Sequence, residues 1–249
     1  MNVSAYVDRI AYSGLAEPTT EVLRALHRAH MLAVPFENLD IGLGRKIVCD
    51  EAAFLAKIVD RHRGGFCYEL NGAFAALLSD LGFKVTLLSA RVSREDGTEG
   101  PEFDHLALRV DLEESWLADV GFGDSFLKPI RLQVGLEQPQ DDRCFRIVEG
   151  KDSLYMEMEE PGKNWRRQYS FTLTPRRLGD FADMCRHHQT SPESPFTRKS
   201  VCSMATIEGR VTVTGRTLIV TRNRIKQETL LESDEQWRAA LKEQFGITL

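Results

Sequence analysis

The amino-acid sequence predicts an α+β protein, and three observations carry that reading. The first third has helical periodicity, the middle turns to short strands after Gly82, and the last part mixes strands with helix. That order divides the chain into three subregions. With 249 residues, 42% of them hydrophobic, there is ample material for a packed core, which excludes wholesale disorder.

In the first subregion, Thr19 and Thr20 cap a helix with Leu23, Leu26, His27 and His30 on related faces. Asp50 caps a second stretch over 51–60. The strongest helix pattern runs from Cys67 to Leu81. Leu70, Phe74, Leu77, Leu78 and Leu81 fall at helical spacing, and Gly82 sits at the C-terminal cap. Strands follow at 83–92, 105–110 and 116–120, the last two separated by an acidic turn. Runs at 144–148 and 154–158 flank Gly150-Lys151-Asp152 as a hairpin. Short strands at this spacing predict a small antiparallel barrel or a sandwich. A helix is expected over 178–187, then a turn-rich hinge from Ser191 to Pro195. A meander over 201–221 breaks at Gly209 and Gly215. Ser233 with Gln236 opens a final helix that ends near Phe245.

Charge and cysteine usage narrow the function classes. A net charge of −5 and a pI near 5.8 argue against a general nucleic-acid partner. No run approaches the ~18 apolar residues of a membrane span, and Met1 to Ile10 lacks the pattern of a secretory signal. Cys49, Cys67, Cys144, Cys185 and Cys202 are odd in number and widely spaced, which predicts reduced thiols and a cytoplasmic setting. Cys185, His187 and His188 lack the paired spacing of a metal site, so no metal is expected.

The run Arg63-Gly64-Gly65-Phe66-Cys67-Tyr68-Glu69 carries the chemistry. It places a thiol in the first turn of an amphipathic helix, where unpaired N–H groups and partial positive charge favour a thiolate. With an imidazolium partner, such a setting lowers a thiol pKa to roughly 3.5–7.5. The same pattern fits a buried, inert cysteine. A nucleophilic cysteine needs a base, and the base an orienting acceptor. His105 opens one strand and Asp119 ends the next; if those strands pair, both side chains reach the same helix end. Strand alternation buries Leu106 and Leu108 on one face and puts His105 on the other. Asp104 and Asp111 are rival carboxylates. Arg63 with Glu37 or Asn38 reads as a structural network beneath the nucleophile.

Arg63 to Glu69, the His105 strand, Asp119-Val120-Gly121-Phe122-Gly123, Val34 to Leu39 and Ser191 to Phe196 together resemble the arylamine N-acetyltransferases of bacterial type. The resemblance spans nearly the whole chain. It implies a helical bundle over 1–82, an antiparallel β-barrel with a connecting helix over 83–189, and an α/β lid over 190–249. The first two parts would share the core of papain-like cysteine proteases. It implies acetyl transfer from acetyl-CoA, a co-substrate rather than a tightly bound cofactor, to an arylamine, arylhydrazine or N-hydroxyarylamine. The implied route is ping-pong through an acetyl-cysteine, with Cys67, His105 and Asp119 as the catalytic triad. Gly121, Phe122, Gly123 and Phe196 would contact CoA. Phe36, Tyr68, Val92, Phe122 and Phe196 would line the acceptor pocket. An amide synthase of macrolactam formation uses the same acyl-cysteine chemistry, and a cysteine hydrolase is the alternative of another class.

Overall fold

The computed structural model describes residues 1–14 and 16–249. α1 (Val3–Arg9), which the sequence reading does not anticipate, is capped by the Asn2 side chain. α2 (Thr20–Ala33) starts at Thr19, whose hydroxyl accepts the Val22 N–H. β1 (Phe36–Glu37) and α3 (Leu39–Gly42) follow. The expected helix over 51–60 is instead α4 (Glu51–Leu55) running into a π-helical turn, Ala56–Asp60. That turn carries Lys57 toward buried carboxylates.

α5 (Cys67–Asp80) is buried along its whole first three turns, from Cys67 to Leu78. It packs against α1, α4 and the neighbouring sheet, so its apolar residues are covered on every side. It ends where Gly82 takes φ +87°, a left-handed conformation that suits glycine.

The open choice between barrel and sandwich resolves as one eight-stranded antiparallel sheet curled into a nearly closed barrel. Its strands are β2 (Lys84–Val92), β3 (His105–Asp111), β4 (Ser115–Ala118), β5 (Ile130–Arg131), β6 (Gln138–Gln140), β7 (Arg143–Glu149), β8 (Leu154–Glu159) and β9 (Arg166–Phe171). The order is β5-β4-β3-β2-β9-β8-β7-β6. The seam between the end strands is bridged by amides. Gln138 bonds both the N–H and C=O of Arg131, and Gln140 does the same with Lys128. Leu88, Ala90, Ala107, Ile147, Met156, Tyr169 and Phe171 fill the interior. β9 is absent from the sequence reading because its first two residues are exposed and charged while its last four are all buried, so no alternation announces it.

After a 3₁₀ turn (Leu178–Phe181) come α6 (Ala182–Thr190) and α7 (Pro195–Arg198). A five-stranded sheet then forms from β1 and from β10 (Val201–Thr206), β11 (Gly209–Thr214), β12 (Thr217–Arg222) and β13 (Ile225–Leu230). β1 pairs with β10, Phe36 opposite Ser203, so an early segment belongs to a late sheet. α8 (Asp234–Phe245) closes a third core around Cys202, Val211, Val213 and Leu241. Asp124 ties the two sheets by accepting from Arg143 of β7 and Arg210 of β11. No helix among the described residues is long and apolar enough to cross a membrane.

Candidate active site

Cys67 is the first residue of α5 and only 4% exposed. Below it, Glu69 accepts the Phe66 N–H at 3.1 Å, which secures the start of the helix. Burial pushes the Cys67 thiol well up. Hydrogen bonds from the Leu106 and Tyr68 N–H groups work against that, while the charges of Asp104 and Asp119 add to it. A lone thiol here therefore keeps its proton, and ionisation requires a positive partner.

The barrel carries a histidine–carboxylate pair. β3 and β4 pair antiparallel, Leu108 opposite Ala118, which brings the start of one strand beside the end of the other. Leu106 and Leu108 face the α5 core, and Ala107 faces the barrel interior, as alternation predicts. His105 Nε2 lies 2.7 Å from Asp119 Oδ2, and both residues are buried. Because Asp119 occupies Nε2, Nδ1 is the ring nitrogen left to exchange a proton with a thiol. Although burial opposes it, His105, Asn71 and the Gly121 N–H hold the Asp119 carboxyl below the usual carboxylate range. Neither rival takes this place: Asp111 pairs with Arg109 and Ser115, and Asp104 faces His188.

Asn71 joins helix to barrel. One turn beyond Cys67, its amide donates to Leu106 O at 2.6 Å and Asp119 Oδ1 at 2.8 Å, and its oxygen accepts the Val120 N–H at 2.9 Å. Gly121 then passes so close to the helix that a Cβ would lie 2.8 Å from Cys67 Cα. Its N–H donates to Asp119 at 3.0 Å. Gly123 has φ +87°, in the left-handed region. From the other side His27 accepts the Asp119 N–H at 3.1 Å and meets Leu127 O at 2.8 Å through Nδ1. Burial lowers its pKa to about 4, so the ring is neutral with its proton on Nδ1.

The aromatic residues take different positions. Phe122 lies 5.2 Å from the His105 ring and 5.1 Å from Tyr169, and Phe36 and Phe196 are 6.1 Å apart. Phe36, Phe122, Phe196 and Val92 are half-buried. Tyr68 is fully buried, its hydroxyl donating to Phe103 O at 2.7 Å. The expected network under Cys67 is larger than Arg63 and Glu37. Arg63 meets Glu37 at 2.7 Å and Asp40 at 3.1 Å, while Lys57 meets Asp40 and Glu69 at 2.9 Å each. Burial raises the Glu69 pKa to about 7, opposed by Lys57. Sequence reasoning assigns no role at the site to Asn71, His27, Lys57, Asp40 or Glu69. Asn71 had a readable sign, a polar side chain at i+4 from Cys67 and so on the same helix face. Among the described residues no cluster of His, Cys, Asp or Glu converges as metal ligands.

A cysteine at a helix start, packed against a sheet that carries a paired histidine and carboxylate, is the layout of a papain-like cysteine enzyme. Within that class the chain belongs to the arylamine N-acetyltransferase family. A family profile described as N-acetyltransferase matches residues 19–249. The chain is 37% identical to the arylamine N-acetyltransferase pineal gland isozyme NAT-3 of Gallus gallus, covering all of this chain and 95% of the relative. It is 35% identical to the arylamine N-acetyltransferase of Mycolicibacterium smegmatis, covering all of this chain and 93% of that one. The structure of the Mycobacterium marinum arylamine N-acetyltransferase in complex with CoA superposes with a TM-score of 0.92 at 31% identity, over 99% of this chain and 93% of the other.

Proposed function

We propose that this enzyme transfers an acetyl group from acetyl-CoA to the nitrogen of an arylamine, arylhydrazine or N-hydroxyarylamine, through an acetyl-Cys67 intermediate. The observation that carries the residue roles is the 2.7 Å His105–Asp119 contact beside a buried helix N-terminal thiol. His105 Nδ1 takes the Cys67 proton, and the sulfur attacks the thioester carbonyl. The imidazolium, stabilised by Asp119, then gives that proton to the departing CoA thiolate. In the second half-reaction the amine attacks acetyl-Cys67 and His105 removes the nitrogen proton. The low exposure of Cys67 keeps water, the competing nucleophile, from the acyl-enzyme.

Phe122, Gly123 and Phe196 are assigned to the CoA side with Gly121, whose own amide already serves Asp119. Phe36, Val92, Phe122 and Phe196 are assigned to the acceptor wall, with Tyr68 behind them. The division into 1–82, 83–189 and 190–249 is kept as the working domain scheme. Five free thiols suit a cytoplasmic setting.

The test is intact-mass measurement after incubation with acetyl-CoA. One acetyl group gained by the wild type and none by Cys67→Ala supports the transfer reaction. Peptide cleavage with no acetylation would move the protein to the cysteine hydrolases.

A further inference from the structure

His188 lies outside the triad, yet it is 95% buried beside it (5% exposed). Its Nε2 is 3.2 Å from Asp104 Oδ1 and 3.3 Å from Asp104 O. Its Nδ1 is 3.3 Å from Ser194 Oγ. That hydroxyl donates its single proton to the His188 carbonyl at 3.1 Å and accepts the Phe196 N–H at 3.2 Å. With the Ser194 hydroxyl donating to that carbonyl, each ring nitrogen faces an oxygen to which an N–H can donate. Asp104 immediately precedes His105. Its other oxygen accepts the Val92 N–H at 3.4 Å, and its carbonyl accepts from Tyr68 at 3.2 Å. The His188 ring also meets Phe196 at 5.2 Å, Tyr68 at 6.1 Å and His187 at 5.8 Å. Asp104, Tyr68 and His187 are the titratable groups around it, and His188 is the one ion-pair partner of Asp104 among the described residues.

We propose that His188 is a positioning residue of the acyl-transfer site: its imidazolium neutralises the Asp104 carboxylate beside Cys67 and ties the run into His105 to the turn that carries Phe196. This rests on the acyl-cysteine reading above. The Asp104 charge works against the Cys67 thiolate, so a cation held on Asp104 makes the thiolate easier to form. The same cation joins three residues assigned to the acceptor wall, Val92, Tyr68 and Phe196.

The experiment follows iodoacetamide labelling of the Cys67 peptide against pH, by mass spectrometry, alongside thermal unfolding. Wild type, His188→Ala, His188→Asn, Asp104→Asn and the double variant Asp104→Asn/His188→Ala are compared. His188→Asn keeps one N–H toward Asp104 without positive charge, so it serves if the alanine variant fails to fold. Loss of the charge is expected to move the labelling midpoint up by about one pH unit, which makes labelling below the midpoint about tenfold slower. Asp104→Asn in the same chain should undo that shift, a rescue that a merely structural role would not give. Folded His188→Ala and His188→Asn with the wild-type profile would overturn the proposal, as would a shift that Asp104→Asn fails to reverse. A wild-type Cys67 that labels no faster than a model thiol would instead bring down the acyl-cysteine reading itself.

Discussion

Two buried polar clusters meet at the start of α5, and they are built on opposite principles. Beneath the helix, Lys57 and Arg63 are saturated by Glu37, Asp40 and Glu69, and Glu37 also accepts the Leu39 N–H at 2.8 Å. Every charge there has an ionic partner, so the cluster has no valence left for a substrate. In the thiol site saturation is confined to the far end. Asp119 accepts from His105, Asn71 and Gly121, whereas among the described residues Cys67 receives two backbone N–H groups and one His105 nitrogen is bonded to Asp119. The contrast separates a group that holds structure from one held ready for reaction: the reactive atom is under-coordinated and its supports are not.

Substitutions in the two clusters should therefore fail in different ways. Cys67→Ala is expected to abolish acetyl transfer while unfolding at the wild-type temperature; residual turnover comparable to wild type would remove Cys67 as nucleophile. Asp119→Asn keeps size but disturbs the His105 tautomer, and the rate should fall by up to about ten-thousand-fold. A steady-state rate within a few-fold of wild type would erase the distinction drawn for Asp119. In the ionic cluster, Arg63→Ala leaves the single charge of Lys57 against Glu37, Asp40 and Glu69 and should cost about 3–5 kcal/mol in urea unfolding. The fraction that remains folded should still acetylate Cys67, and an equal loss in acetylation per folded molecule would merge the two clusters into one.

The smallest effect concerns pH. His27 is held neutral with a pKa of about 4, so its contribution is present above the unfolded value of 6.5 and is lost as pH falls toward 4. Glu69 is raised from 4.5 to about 7, so it destabilises progressively as pH rises across that interval. Each contribution is on the order of 3 kcal/mol, and the two oppose each other between pH 4.5 and 6.5. Urea unfolding of His27→Gln should then show stability falling with pH across this window, and Glu69→Gln should show it rising. Parallel curves for the two variants would mean that neither group titrates as described.

Much of the thiol site was legible in the chain, and little of the ionic cluster was. Cys67 stood out because a thiol after two glycines at a helix start has a chemical meaning that local sequence supplies. His105 and Asp119 were readable as neighbours once two short strands were placed in order. Asp104 and Asp111 remained rivals because strand pairing, not composition, decides which carboxylate meets the ring. Lys57, Asp40 and Glu69 look like ordinary solvated residues of polar turns and helix ends, and nothing local marks them for burial. β9 and β13 were missed for the same reason: one switches from exposed to buried midway, and the other is exposed throughout.

What the sequence determined alone was the local set: helix starts and stops, the thiol in the first turn of α5, and the alternation that turns His105 away from Leu106 and Leu108. These depend on interactions a few residues apart, where side-chain type and spacing dominate. The tertiary structure decided which distant groups share a low-dielectric space. It set Asn71 between Leu106 and Asp119, His27 behind the carboxylate, and β1 in a sheet with β10. Those choices come from packing whole elements against one another, and burial is what gives the polar groups at their junction their protonation states and their strength.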